Sequence, residues 1–597
     1  YAMDSQQIER VFQSLLAQIP SSCLSVACIS KYSVKTSETM QPSFTCFAPG
    51  VALPVSATYD CVILIEEAVS QLQDEGCLQD ILDRLSKNGI LMAVLPTIYI
   101  DTLPDETARL LEGLGLFQFS PDPVGDGLAL LTFARSTFDP LAHARHLSEA
   151  GMPGRAAALL EWLTRRTPLS EEQRAGIAVE MLRHFRRAAE MIDPTANHGL
   201  LFHAQKEFHV AVHAWPRRHE LYREHAAIWR RFGNDDYAAR LLRSVLHVAE
   251  DDATRSALAR CAPVNTVQPT VETLREWTGN KKAPRVLVLT HHASDYGMDS
   301  LYDGLSQVLG FENVVEYPWK PTLHGLDEAA TLKYPCWFDY PGTARSPEAL
   351  VQELRDGLFD VIVFADFVER TNRDEILRIL DAAPDTPVVA YDPWDDGSAT
   401  QKSACAYLNG RLIAAYFKRE MLACLDYGEN AYPLPFGYPD RHVPSLLPER
   451  RTTDLFWAGK RLFGTRSLYL DYLNQVLQRT LDRSLPQEAY RRAIADSRIG
   501  LSFFGFGFDT VRYWELAANG CMILAERPLI RIPFNFVAGE SAVFFDDLAE
   551  LEEKLNYYMA HTDTAEEVAR AGREHFLRYH TTSARARQFL GTIEALI

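Results

Sequence analysis

The sequence predicts a multidomain α/β protein in which a helical segment separates one α/β domain from two others. Short apolar runs alternate with helical periodicity at both ends of the chain, a pattern typical of parallel α/β sheets. The middle of the chain is rich in Ala, Leu, Arg and Glu and lacks strand patterns. A length of 597 residues suits three or four domains of ordinary size.

The composition of the chain narrows the classes of function. A formal net charge of −19 argues against nucleic acid as the main partner, because phosphate binding needs a basic surface. No apolar stretch approaches the roughly 18 residues that span a membrane, and we expect no signal peptide. The ten Cys include no CxxC pair, so we expect reduced thiols in a cytoplasmic protein.

Residues 3–137 have the pattern of an α/β domain. The predicted elements are, in chain order, a strand at Cys61–Ile65, a helix at Leu78–Leu85, a turn at Lys87–Gly89, a strand at Ile90–Leu95 and a hairpin within Gly125–Phe133. The two strands and the helix between them form one βαβ unit, which predicts that the strands pair in parallel.

The run from Tyr59 to Pro96 resembles the second half of the class I methyltransferase fold. A cofactor must approach backbone N–H groups closely at the first loop of such a domain, and only Gly permits that approach. The corresponding stretch here, Cys23 to Ser33, contains no Gly. We therefore expect an adaptor or structural domain that binds no S-adenosylmethionine, with a working methyltransferase as the alternative.

Residues 139–265 are predicted to be helical and carry a repeat signal. Blocks that begin at Gly151, Ala204 and Gly233 place small and apolar residues at matching offsets. The offsets resemble the second helix of tetratricopeptide repeats, in which a small residue lets two helices approach closely. The segment is either a groove for a peptide or protein, or a helical linker that also allows self-association into a homo-oligomer. Residues 266–283 are predicted to be a linker.

From residue 284 the pattern is again α/β, with parallel-strand character. The predicted strands are Val286–Thr290, Val361–Phe364, Val388–Tyr391, Leu455–Ala458, Ile499–Phe503, Met522–Ala525 and Val543–Phe545. They predict two Rossmann-like domains, at 284–440 and 441–597. Because such sheets bind ligands at the carboxyl ends of their strands, two facing sheets form a cleft for a donor and an acceptor.

The stretch Ser502–Glu526 (SFFGFGFDTVRYWELAANGCMILAE) resembles the donor-site signature of GT-B glycosyltransferases, and is closest to the group that includes CgeB-like spore-maturation proteins. Supporting pieces are Asp295–Gly310, Tyr416–Glu420, Pro433–Pro439 and Asp454–Lys460. The resemblance covers residues 285–595. It implies a GT-B fold and transfer of a sugar from a nucleotide-diphosphate sugar, with no further cofactor.

Within this resemblance, Glu515 is implied to hold the ribose of the nucleotide. Arg512 offers a planar fork to phosphate oxygens, and Gly505 and Gly507 are expected to let the backbone approach the diphosphate. The remaining donor-site candidates are Thr510, Lys460 and Arg466, with Arg461 as a further cation after the same strand.

The stereochemistry of transfer is left open by the sequence. Retaining members of the fold often carry two Glu separated by seven residues, and position 507, eight before Glu515, is Gly. An inverting reaction needs a general base, which the fold usually places on a loop of its first half. The candidates after the Val286–Thr290 strand are Asp295, ranked first, then His291, Asp299 and His292.

Asp392 and Asp395 follow the Val388–Tyr391 strand on the acceptor side. Two residues separate them, whereas one separates the acids of the GT-A metal motif, so we expect an acceptor-cleft loop or a plain turn and no metal. Cations and helix dipoles would then stabilise the leaving diphosphate. The expected acceptor is a protein such as a flagellin, or a glycan carried on one. The alternatives are a non-catalytic scaffold and a methyltransferase fused to a sugar-binding module.

Overall fold

The described part of the chain, in a computed structural model, comprises residues 25–29, 43–47, 59–65, 81, 83, 85–96, 116–118, 122–125, 128–135, 140–149, 156, 160, 169–191, 199–262, 276–279, 282–326, 336–367, 373–481 and 485–596. The chain divides into two compact units, residues 1–191 and 192–597. No helix within these described ranges is long and apolar enough to cross a lipid bilayer.

The first unit contains a mixed sheet. Its strands are β1 (Ser25–Ile29), β2 (Ser43–Phe47), β3 (Tyr59–Ile65), β4 (Leu85–Pro96), β5 (Leu116–Gln118), β6 (Asp122–Gly125) and β7 (Leu128–Arg135). They are ordered β2-β1-β3-β4-β7-β5, and β6 also pairs with β7. Strands β3 and β4 are parallel, as predicted, and the predicted hairpin is the antiparallel pair β6–β7. The helices α1 (Pro140–Glu149) and α2 (Glu171–Met191) follow.

The turn predicted at Lys87–Gly89 is wrong, because this stretch lies inside β4. The register of β3 against β4 shifts between Tyr59 and Cys61, so the Asn-Gly pair belongs to a bulge in a continuous strand. The helix predicted at Leu78–Leu85 lies mostly outside the described residues, and Leu85 itself begins β4.

Helices open the second unit, and we call residues 199–262 the helical layer. Its helices are α3 (Leu200–Ala214), α4 (His219–Arg231), α5 (Asp235–Val248) and α6 (Asp252–Leu258). Ala204 and Ala238, from two of the predicted repeat blocks, are fully buried on α3 and α5. Gly233 has a φ of +81° and turns the chain between α4 and α5. The helical character predicted here is confirmed, while the tetratricopeptide resemblance stays a prediction.

A six-stranded parallel sheet forms what we call the first lobe. Its strands are β8 (Val286–Leu289), β9 (Val314–Tyr317), β10 (Val361–Phe364), β11 (Val388–Asp392), β12 (Ala415–Lys418) and β13 (Ala431–Pro433), in the order β13-β12-β11-β10-β8-β9. Its helices are α7 (Tyr296–Leu309), α8 (Pro347–Arg355), α9 (Arg373–Asp381) and α10 (Gln401–Tyr407). The Asp295 carboxylate caps α7 by accepting a hydrogen bond from the Met298 N–H at 3.2 Å.

A four-stranded parallel sheet forms the second lobe. Its strands, in spatial order, are β14 (Thr453–Phe456), β15 (Ser497–Ser502), β16 (Met522–Glu526) and β17 (Val543–Phe545). Its sequence segment also contains α11 (Arg466–Leu477), α12 (Gln487–Ala495), α13 (Val511–Ala518), α14 (Leu548–Ala560), α15 (Thr562–Tyr579) and α16 (Thr582–Thr592). The predicted fold class is confirmed: two Rossmann-like sheets follow a helical segment and an α/β domain.

The last helix, α16, returns to the first lobe. Phe589 packs against Phe417 of β12, with ring centroids 4.6 Å apart, and belongs to the apolar core under that sheet. Gly304 of α7 allows this crossing, because a Cβ there would lie 2.1 Å from the carbonyl oxygen of Thr582. The domain predicted at 441–597 therefore does not account for this helix.

Candidate functional site in the cleft between the lobes

The carboxylate of Glu515 lies on α13, just after the loop that leaves the carboxyl end of β15. It is half-buried, and its Oε2 atom accepts a hydrogen bond from the Tyr490 hydroxyl of α12 at 2.7 Å. Burial raises the pKa of Glu515, although the Tyr490 hydrogen bond and the Arg512 charge oppose the rise. Tyr490 was not singled out from the sequence, because nothing local marks a tyrosine 25 residues before its partner.

Two arginines stand at the starts of α11 and α13. The buried Arg466 donates to the carbonyls of Lys460 and Phe503, at 2.9 and 3.2 Å, and Arg512 donates to the carbonyl of Ala458. The Nε atom of each guanidinium is buried without an acceptor in the described part of the chain. Burial and then the Arg512 charge lower the pKa of Arg466 to about 9. Two cations with spare donors at helix starts suit an anion such as a diphosphate.

The other donor-site candidates differ in their surroundings. Lys460 is exposed, while Arg461 forms an ion pair with Asp471 on α11. The Thr510 hydroxyl lies 3.1 Å from the Ser502 hydroxyl, where both residues line a small cavity beside α13. Arg461 is thus engaged within the second lobe, whereas Lys460 and Thr510 stay predicted donor contacts.

Backbone N–H groups of the loop 503–509 are held mainly by buried carboxylates. The donor–acceptor pairs are Phe504 to Glu526, Gly505 to the carbonyl of Gly507, Phe508 to Glu420 and Asp509 to Glu420. A Cβ on Gly507 would lie 2.3 Å from the Glu420 Oε1 atom. A Cβ on Gly505 would have its nearest neighbouring atoms at 3.4 Å, which is ordinary van der Waals contact. Gly507 thus admits a carboxylate from the first lobe, and the approach of a diphosphate to Gly505 and Gly507 stays a prediction.

Glu420 and Arg419 of the first lobe form hydrogen bonds with the loop 503–509 of the second lobe. The carboxylate of Glu420 is fully buried and accepts from Phe508 and Asp509 at 2.9 and 3.0 Å. Arg419 donates to the Asp509 carbonyl at 2.8 Å and pairs with Asp395. Burial raises the pKa of Glu420 to about 7, against the opposing charge of Arg419. We call this pair of residues the clasp.

The clasp predicts a pH-dependent stability. A carboxyl whose pKa is about 7 in the folded protein, against 4.5 for an unperturbed glutamate, binds more protons when folded. The free energy of unfolding therefore falls as pH rises from 4.5 to 7, by up to about 3 kcal/mol from this group. Glu420→Gln should lose this dependence, which urea unfolding at pH 5 and pH 7.5 will measure. The exposed Glu488→Gln is the control, and parallel pH profiles for wild type and Glu420→Gln would contradict the assignment.

His291 and Asp295 form a hydrogen-bonded pair at the carboxyl end of β8. The Nε2 atom of the buried His291 lies 3.2 Å from the Asp295 Oδ2 atom, and its Nδ1 atom is buried without a partner in the described ranges. Burial alone would raise the pKa of Asp295, but the His291 hydrogen bond and the Lys320 charge lower it. In the neutral imidazole tautomer that donates from Nε2 to Asp295, Nδ1 is left as an acceptor. His292, next to the pair, is exposed.

Asp299 is a correction to the candidate bases. Its Oδ1 atom accepts from Lys320 Nζ at 2.6 Å, and both side chains are only 1% exposed. Its Oδ2 atom lies 3.3 Å from the Asp295 N–H. A carboxylate held in a buried ion pair serves the structure, because losing either partner would leave an uncompensated buried charge.

Asp392 and Asp395 are likewise bound by protein groups. Asp392 Oδ2 accepts from the Tyr416 hydroxyl and from Lys418 Nζ, both at 2.8 Å, while Asp395 pairs with Arg419. Asp392 is therefore corrected from an acceptor-cleft residue to a buried support of its loop. In the ranges listed above for the structure, His, Cys, Asp and Glu form no group of three suited to a metal ion.

The start of α7 in the first lobe lies near the loop that precedes α13 in the second lobe: Tyr296 packs on Phe436 with ring centroids 4.7 Å apart, and the Phe436 N–H donates to the Asp509 carboxylate at 2.6 Å. Burial chiefly, with Cys336 and then Glu515 adding, raises the pKa of Tyr296, the first residue of α7. Burial and then Glu515 likewise raise the pKa of Tyr438, in the segment between the lobes. The start of α7, which also carries Asp295, is therefore joined through Phe436 to Asp509, which lies two residues before α13.

The helical layer packs on the outer side of the same loop. The Phe506 ring lies 5.2 Å from Phe202, and its carbonyl accepts from Gln205 Nε2 at 2.7 Å. The Phe508 ring lies 5.6 Å from Trp229. The loop 503–509 is thus enclosed by the helical layer on one side and by the clasp on the other.

Comparisons with known proteins agree with a transferase domain in the second lobe. Residues 453–591 match the family model described as Glycosyl transferase-like, which spans Glu515, Arg512 and Arg466. This region is therefore similar to the domain that the family model describes. None of the curated proteins compared with the chain matches it.

Several solved structures are similar to the chain at low sequence identity. HepE from Anabaena in complex with UDP-glucose is 9% identical, covering 52% of this chain and 99% of that one, with a TM-score of 0.33. A glycosyltransferase from Rickettsia africae is 9% identical, covering 52% and 98%, with a TM-score of 0.35. The O-GlcNAc transferase of Thermobaculum terrenum is 12% identical, covering 76% and 95%, with a TM-score of 0.28. At these values the fold assignment rests on the two parallel sheets themselves.

Proposed function

We propose that the chain is a glycosyltransferase that takes its sugar from a nucleotide-diphosphate donor held in the second lobe. The observation that carries this proposal is the placement of Arg512 and Glu515 on α13 and of Arg466 at the start of α11, all inside the region that matches the glycosyltransferase-like family model. A carboxylate can accept hydrogen bonds from two ribose hydroxyls, and the spare guanidinium donors suit diphosphate oxygens. These arginines and the helix starts would neutralise the leaving group without a metal ion.

We assign the general base to His291, with Asp295 as its positioning residue. The free Nδ1 atom would take the proton of the acceptor hydroxyl as its oxygen attacks the anomeric carbon, and the nucleotide diphosphate leaves with the bonding electrons. Asp295 fixes the ring by its hydrogen bond and favours the imidazolium that forms. The proposed reaction is therefore one of the inverting class.

The proposed acceptor is a protein, such as a flagellin, or a glycan carried on one, in the cytoplasm. Trp394 supports a surface for such an acceptor, because it is 41% exposed on the loop that follows β11. Its ring lies 6.4 Å from Phe202 of the helical layer. Exposed aromatic rings offer large contact area at low entropic cost to a peptide or sugar.

Glu515→Gln tests the donor site. The variant should keep the fold and bind the nucleotide about 10- to 150-fold more weakly, because hydrogen bonds to a charged acceptor contribute roughly 1.5–3 kcal/mol. The dissociation constants of UDP, GDP and TDP, measured by calorimetry on the full chain, check this. Glu553→Gln, on the exposed side of α14, is the control. Equal affinity of Glu515→Gln and wild type would remove Glu515 from the site.

A further inference from the structure

The hydroxyl of Tyr296 is a polar group without a partner in the cleft. Tyr296 is the first residue of α7, and its ring packs edge-on against Phe436 with centroids 4.7 Å apart. Its hydroxyl oxygen is buried and forms no hydrogen bond within the described ranges. The buried Tyr222, by contrast, donates its hydroxyl to the Pro216 carbonyl at 2.6 Å.

A buried hydroxyl without a partner is unfavourable, because it gives up hydrogen bonds to water and receives none in return. Such a group is explained by a ligand that supplies the missing bond, or by an unused position. The position of Tyr296 favours a ligand. It directly follows Asp295, the residue that orients His291, and its ring packs on Phe436, whose N–H donates to Asp509 of the second lobe at 2.6 Å.

We infer that the Tyr296 hydroxyl forms a hydrogen bond with a sugar hydroxyl of the bound nucleotide-sugar, so that the first lobe recognises the donor directly. This inference rests on the proposed function. A phenolic hydroxyl both donates and accepts, as does a sugar hydroxyl, so the pair satisfies itself without a charge. The sugar hydroxyl belongs either to the ribose, which Glu515 would also contact, or to the transferred sugar.

Tyr296→Phe separates a role in ligand binding from a structural role. Removal of an unpartnered hydroxyl should leave the melting temperature of the free protein unchanged or raise it. The same change should weaken donor binding by about 2- to 10-fold, the size of one neutral hydrogen bond. The measurements are thermal unfolding without ligand, and calorimetric dissociation constants for UDP, GDP and TDP and for their glucose esters. If the nucleotides and their glucose esters lose affinity equally, the hydrogen bond is to the ribose. If only the glucose esters lose affinity, the hydrogen bond is to the transferred sugar.

Tyr222→Phe is the matched control, because its buried hydroxyl has a partner remote from the cleft. It should lower the melting temperature and leave the dissociation constants unchanged. Wild-type affinity in Tyr296→Phe would overturn the inference while leaving the proposed function standing. So would a lowered melting temperature together with wild-type affinity, which would show a structural partner. If the wild-type chain binds none of these nucleotides, the proposed function fails, and the inference falls with it.

Discussion

His291→Asn should lower the rate of nucleotide-sugar turnover by roughly 10²- to 10⁴-fold, the usual contribution of a positioned general base. The reason is geometric, because the free Nδ1 atom of His291 is the acceptor for the substrate proton while Nε2 is tied to Asp295 at 3.2 Å. Asparagine keeps a polar side chain of smaller size but has no basic nitrogen. Affinity for the nucleotide should stay unchanged, since none of the proposed nucleotide contacts is made by His291.

The measurement is hydrolysis of the nucleotide sugar, in which water stands in for the acceptor hydroxyl. His292→Ala is the control, because it changes an exposed neighbour of the same residue type. Asp295→Asn adds a second arm: Asn caps a helix about as well as Asp, so α7 should persist while the negative charge beside His291 is lost. Both His291→Asn and Asp295→Asn should hydrolyse the nucleotide sugar more slowly than the wild-type chain does. A wild-type rate in His291→Asn would remove His291 as the base.

The choice between His291 and Asp295 shows what the sequence could supply. Both residues follow a predicted strand, so a base at this edge was predictable from the pattern alone. Their relative roles depend on which one caps α7 and which keeps a free nitrogen, and only the packed structure shows that. The ion pair that removes Asp299 from the candidates involves Lys320, 21 residues away, and no local pattern marks it.

In the second lobe, too, some site residues could be found from a local motif and others only from the packed structure. Glu515 and Arg512 belong to one short motif, so they could be found together. The role of Gly507 depends on Glu420, a residue of the other lobe that lies 88 residues before Phe508, whose N–H it binds. The charged residues directly after the apolar strand β12 were the available signal for Glu420, because charge at a buried strand end demands a partner.

The fold was predicted best where the pattern is local. The runs Val361–Phe364 and Val543–Phe545 match their strands residue for residue, since a short, fully buried apolar run has few alternatives. The return of α16 to the first lobe was not predictable, because it depends on the contact between Phe589 and Phe417, which lie 172 residues apart in the sequence. The packing of the helical layer on the loop 503–509 was not predictable for the same reason, because it also joins residues that lie far apart in the sequence.

A protein that begins at residue 282 should fail to fold into a nucleotide-binding form, whereas one that begins at residue 192 should bind the nucleotide as the full chain does. The helical layer packs on Phe504, Phe506 and Phe508 of the loop 503–509. Burial of one such side chain contributes about 1.5–3 kcal/mol, so three together approach the 5–15 kcal/mol that stabilises a typical domain. The shorter protein would also lose the ion pair between Arg243 and Asp547.

Soluble yield, circular dichroism melting and nucleotide affinity check this, with Phe506→Ala in the full chain as a milder test of the same contact. A folded 282–597 protein with full-length affinity would show that the helical layer is dispensable to the donor site. The expected result also bears on the acceptor: loss of transfer after deletion of these helices would report a damaged loop 503–509 rather than a lost docking groove. Acceptor binding is better tested by Trp394→Ala, because its exposed ring can be removed while the enclosed loop stays intact.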